Sequence, residues 1–193
     1  MNIHQVSATY VQEQDRILVR INTPQGDEMR LWFTRRLCLS LWPTLERAVL
    51  ATSELATRQD SSTPQPQAPM TQRLVGSFKR AAALQNADFT TPYESNAAAR
   101  LPLGTEPLLV SEIRLTPQTD GALRIEFQEN LAGMAAPRGF QVELVGTLMH
   151  GFVHLLERAI EQSQWWQRPD FITSAAAAQT ERPSEAEPPR YLN

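Results

Sequence analysis

His150 and His154 stand four residues apart with Glu157 three further on. On a helix that spacing places three possible ligands for a divalent metal on adjacent turns. The segment reads His150-Gly151-Phe152-Val153-His154, so the glutamate that serves as base on a metalloprotease helix has no counterpart here. No further histidine or cysteine lies nearby to complete a ligand set, so boundary histidines on an amphipathic helix are expected, and no metal or other cofactor. Cys38 follows Arg35 and Arg36 near an expected helix start, a setting that can lower a thiol pKa. As a nucleophile it would need His4, His150 or His154 brought to it by folding, and a small half-buried residue is the simpler expectation. A glycine-rich phosphate loop, a serine-centred nucleophile elbow and a paired acidic metal motif are all missing from the sequence. No catalytic residue is assigned, and the chain is expected not to be an enzyme.

Two groups of residues suit binding better than catalysis. Arg30, Arg35 and Arg36 lie close in sequence to Trp32 and Trp42, the combination that stacking on nucleic-acid bases requires. The same arginines can instead pair with acids such as Glu28 and Glu46. Trp165 and Trp166, with Phe171 and Ile172 beyond, form an apolar group that either docks on the chain's own sheet or meets a partner, since tryptophans concentrate at interface hot spots.

The elements that position these residues follow from periodicity. Val6, Ala8 and Tyr10, then Ile17, Val19 and Ile21, then Met29, Leu31 and Phe33 alternate with polar residues, which predicts three antiparallel strands joined by polar turns at 12–15 and 23–27. Thr34 is placed to cap a helix carrying Leu37, Leu41, Leu45, Ala48 and Thr52 on one face; Pro43 either kinks that helix or begins it anew. Residues 57–69 have linker composition, and residues 70–105 hold a connecting helix, its apolar face including Phe78, followed by an irregular stretch. Strand periodicity returns in Leu109, Ile113 and Leu115, in Leu123, Ile125 and Phe127, and in Phe140, Val142 and Leu144. A last helix buries Val145, Leu148, Met149, Phe152, Leu155, Leu156, Ala159 and Ile160. The expected organisation is an N-terminal βββα half at 1–56, a C-terminal βββα half at 106–166 and a disordered tail at 167–193.

The fold class is therefore α+β, two tandem βββα-like halves with antiparallel sheets packed against long helices. Leu45-Glu46-Arg47-Ala48-Val49 matches Leu156-Glu157-Arg158-Ala159-Ile160 at the offset that also aligns Met29, Leu31 and Phe33 with Phe140, Val142 and Leu144. Val19-Arg20-Ile21 matches Leu123-Arg124-Ile125 at a slightly different offset, and together these suggest an internal duplication. One helix covers a three-stranded face only in part, so two halves or two chains should join to complete a core. This order of elements resembles that of the PUR and Whirly families, tandem sheet-plus-helix folds that bind single-stranded nucleic acid. Their repeats carry four strands where this chain has three.

Composition bounds the remaining choices. The 193 residues carry a net charge of -3, and 17 of the 18 basic residues are arginine, Lys79 being the exception. A polybasic nucleic-acid or membrane binder is thereby disfavoured, and the arginine bias is read as genome composition. A single cysteine excludes an intrachain disulfide and points to a reducing compartment. The N-terminus lacks the zones of a signal peptide and no stretch is long and apolar enough to span a bilayer, so a cytoplasmic location is expected. These readings converge on a bacterial-type cytoplasmic interaction or adaptor protein with an unknown protein partner and a possible homodimer. Single-stranded nucleic-acid binding is the alternative, and a metal-dependent enzyme using the His-x3-His helix comes third.

Overall fold

The computed structural model describes residues 3–60, 69–89, 91–94, 96, 98–134 and 136–166. The tail expected at 167–193, including Phe171 and Ile172, lies outside them, as does 61–68 of the expected linker. Three strands, β1 (Gln5–Val11), β2 (Arg16–Asn22) and β3 (Glu28–Thr34), lead into α1 (Arg35–Asp60). After α2 (Pro69–Gln85) come β4 (Leu108–Leu109), β5 (Glu112–Pro117), β6 (Ala122–Glu129), β7 (Arg138–Val145) and α3 (Gly146–Ser163). The class is mixed α+β, with one sheet ordered β1-β2-β3-β4 and a second ordered β5-β6-β7. No helix among the described residues is long and apolar enough to cross a membrane.

The strand faces follow the alternation of the sequence. Ile17, Val19 and Ile21 face the core beside Met29, Leu31 and Phe33, while Leu18, Arg20, Arg30 and Trp32 take the opposite face. Leu123, Ile125, Phe127, Val142 and Leu144 line the inner face of the second sheet. The two inner faces join one cluster with the buried sides of α1 and α3, and Phe33 meets Phe127 at a ring separation of 5.9 Å. Thr34 caps α1 as the sequence predicts, its hydroxyl accepting the Leu37 amide at 3.3 Å. Pro43 neither restarts nor ends that helix, which runs through it to Asp60, four residues into the stretch expected as linker.

Helix α1 packs mainly on β5, the first strand of the second sheet, and α3 packs on β1, the first strand of the first sheet. Periodicity tells which side of a helix is buried but not what buries it, so this exchange is new to the structure.

Three further assignments change. Leu109 does not begin the strand of Ile113 and Leu115; with Leu108 it forms β4 and pairs in parallel with β3, Leu31 opposite Leu108 and Trp32 opposite Leu109. The buried Glu129 carboxylate fixes this crossing by accepting the Leu109 amide at 2.9 Å on one oxygen and Arg138 Nε at 2.8 Å on the other. Ser111 then turns the chain into the second sheet, its hydroxyl accepting the Asn130 amide at 2.8 Å. Val145 ends β7 rather than lying on the buried stripe of α3, and is 55% exposed. Phe78 of α2 is 75% exposed, because α2 meets its neighbours through Gly76 against Leu50 and through an Arg80–Glu157 ion pair.

The ladders also correct the sequence match between halves. Val19 pairs with Leu31, and Ile125 with Val142. If Leu31 corresponds to Val142, Val19 corresponds to Ile125, two residues from the Leu123 that the letters suggest.

Candidate interaction surfaces

The arginines and tryptophans singled out in the sequence occupy three neighbourhoods rather than one. Arg30 and Trp32 lie on the outer face of the first sheet, Trp32 between Leu18 and Leu109 and Arg30 opposite Arg20. Arg30 Nε bonds a Glu28 carboxylate oxygen at 2.5 Å, and the Tyr93 hydroxyl donates to the other oxygen at 3.2 Å. Glu28 is buried, and Arg20 stacks 4.4 Å above the Tyr93 ring. Burial, and then the adjacent Glu28 charge, push the Tyr93 phenol well above its ordinary pKa, so it stays a proton donor to that carboxylate.

Arg35 belongs to the second neighbourhood, its guanidinium donating to the Trp165 carbonyl at 3.0 Å. Trp165 is buried, edge-on to Tyr10 at 5.7 Å, and its indole N–H donates to Asp15 at 2.7 Å. The Tyr10 hydroxyl donates to the same Asp15 oxygen at 2.9 Å, a bond that raises the Tyr10 pKa. The turn that follows α3 is thus fastened to the β1–β2 connection, which contains a 3-10 turn at Gln12–Gln14.

Trp166 turns the other way, forming the third neighbourhood. It stands 43% exposed and edge-on to the half-buried Trp42 at 5.3 Å, while Trp42 donates its indole N–H to Glu46 at 3.0 Å. Leu39, three residues before Trp42 on the same face of α1, is 37% exposed. Arg36 is exposed at the N-terminal end of this helix. An apolar patch formed by Leu39, Trp42 and Trp166 results, and nothing in the sequence had marked Leu39 as part of it. No family model, curated protein or solved structure matches this chain.

The groups considered for catalysis do not assemble. Cys38 is fully buried in the core, and burial pushes its thiol up to about 12, opposite to the lowering that neighbouring arginines would produce. The thiol is therefore expected to resist Ellman's reagent at pH 8 in the folded protein and to react stoichiometrically in denaturant. Because its pKa rises on folding, the protonated thiol favours the folded state. That contribution is complete below the ordinary value of 9.0 and is lost as pH climbs toward 12. Alkaline unfolding of Cys38→Ala should accordingly show a shallower pH dependence above 9.0 than the parent; an identical profile contradicts this assignment.

Of His150, His154 and Glu157, the structure brings the last two together, His154 Nδ1 lying 3.8 Å from a Glu157 carboxylate oxygen. His150 is buried, His154 packs edge-on to Phe89 at 5.1 Å, and Glu157 is paired with Arg80. Among the described residues no group of three or more histidine, cysteine, aspartate or glutamate side chains is arranged to hold a metal ion.

Proposed function

We propose that the chain is a non-enzymatic protein-interaction or adaptor module that engages its partner through Leu39, Trp42 and Trp166. The observation that carries this reading is the divergence of two consecutive tryptophans: Trp165 is consumed by the fold, while Trp166 is displayed against Trp42 beside an exposed leucine. Large aromatic side chains on a supported surface are the usual anchors of protein interfaces. The burial of Cys38 and the pairing of Glu157 further support a binding rather than a catalytic role, and a lone buried thiol suits a cytoplasmic setting. In affinity capture from native lysate read by mass spectrometry, a Leu39→Asp/Trp166→Ala variant should lose a defined partner that the parent and an Arg114→Ala control retain. Identical captured sets for all three, or turnover dependent on Cys38 or His150, would sink the reading.

A second reading, single-stranded nucleic-acid binding, is favoured by the position of the half-buried Trp32 on the outer face of the first sheet, with Arg16, Arg20 and Arg30 in the surrounding rows. Fluorescence anisotropy with labelled single-stranded DNA and RNA tests it. Salt-sensitive binding that weakens in Trp32→Ala favours this surface, and no binding removes it. Both readings rest on a scaffold we take to be two duplicated βββα halves, supported by the reciprocal packing of α1 on β5 and α3 on β1.

A further inference from the structure

The edge strands of the two sheets are not equally protected. Helix α3 packs on β1, helix α1 packs on β5, and β4 is only two residues long. Strand β7 is the longest of these edges: its eight residues pair with β6 without interruption, and, as for β1 and β5, no backbone hydrogen bond among the described residues reaches its other side. It contains no proline, lysine or bulge, and its two charged side chains, Arg138 and Glu143, are paired with Glu129 and Arg124 of the neighbouring β6.

We propose that β7 pairs antiparallel with β7 of a second copy, about a twofold axis at Val142, joining two three-stranded sheets into one of six. This surface is separate from the Leu39–Trp166 patch. Opposite residues in an antiparallel pair share a face, so the apolar side of β7 meets itself in register. Phe140 then lies opposite Leu144 of the partner subunit, and Gln141 opposite Glu143 of the partner subunit. Sliding by one residue pair sets Glu143 against Glu143 of the partner subunit in one direction, and Arg138 against Leu144 of the partner subunit in the other. Both alternatives are poorer.

Shape favours the same register. On the outer face of β7, Gly139 approaches β6 so closely that a Cβ there would stand 2.2 Å from the Phe127 carbonyl oxygen. Gly139 also borders a shallow depression of about 320 Å³ whose lining includes Gln128, Pro137 and Gln141. In the Val142-centred register the residue opposite Gly139 is Val145 of the partner subunit, and Val145 is 55% exposed on that same face. The twofold repeats the contact, giving two apolar knobs and two recesses per dimer.

Sedimentation equilibrium of the full chain should report a dimer of 21.7 kDa subunits. Val145 holds the N-cap position of α3 without a side-chain cap bond, so Val145→Asp supplies a capping group and preserves folding. It also places a charge in the recess and should weaken dimerisation by about tenfold or more. Gln141→Cys/Glu143→Cys should crosslink into dimers on oxidation, whereas each single cysteine variant should not, because only the double variant has directly opposite thiol positions. A single-subunit mass at every concentration would overturn the proposal. So would a dimer that Val145→Asp leaves intact and the double cysteine variant fails to crosslink.

Discussion

Trp165→Ala is expected to lower folding stability by about 3–5 kcal/mol, the range for removing a large buried aromatic side chain. The residue lies past the last turn of α3, outside any helix or strand. Three contacts make this position different: the Tyr10 ring edge, the Asp15 carboxylate, and the Arg35 guanidinium on its carbonyl. Trp165→Phe retains most of the buried ring and loses the indole N–H, while Asp15 keeps its bond from Tyr10. That variant should therefore cost about 1 kcal/mol for the lost hydrogen bond, well short of the loss in Trp165→Ala. Trp166→Ala, one residue along, should fall within about 0.5 kcal/mol of the parent. Urea unfolding followed by far-UV circular dichroism ranks the three, and equal losses for Trp165→Ala and Trp166→Ala would refute the assignment of one tryptophan to the fold and the other to the surface.

Breaking the clasp between Glu129 and Arg138 has the second largest expected effect, roughly 2–4 kcal/mol for either Glu129→Ala or Arg138→Ala. Glu129 is the buried member, so losing Arg138 strands a carboxylate, and losing Glu129 strands the Leu109 amide. The cost stays below that of a fully enclosed pair because the Arg138 side chain is 44% exposed and can turn to water. The double variant should be less destabilised than the sum of the two single losses, since either change alone already dissolves the contact. Amide exchange at Leu109 and Val110 should accelerate in all three variants. Additive losses with unchanged exchange there would show that β4 is held by something else.

These two sites also mark where the sequence was readable and where it was not. The inner faces of β2, β3, β6 and β7 follow directly from alternation, because a half-buried sheet must sort its side chains with period two. The Thr34 cap was equally plain, since a threonine before an apolar helical stripe has one local partner to find. Strand β4 was not readable. Two residues carry no period, and their placement depends on a glutamate twenty positions away. Val145 and Phe78 carried the right hydrophobicity for a buried stripe but end a strand and face away from the helix contacts, respectively. The Arg/Trp group looked continuous because its members are near in sequence. Strand alternation sends Trp32 away from the core, whereas Trp42 packs against the core side. The opposite fates of Trp165 and Trp166 depend on Tyr10, Asp15 and Trp42, all distant in sequence.

The crossed seating of the helices has a kinetic meaning. While the chain is being synthesised, α1 emerges complete long before β5 exists to receive it, and β1 waits still longer for α3. Strands β1, β2 and β3 can zip up alone but expose their apolar face until the final helix arrives, so folding should finish late and all at once. High contact order of this kind slows the search for the native state and lengthens the interval in which aggregation competes. A ribosome-tethered chain ending at residue 110 should accordingly be protease-sensitive throughout α1, with protection appearing only after α3 has cleared the exit tunnel.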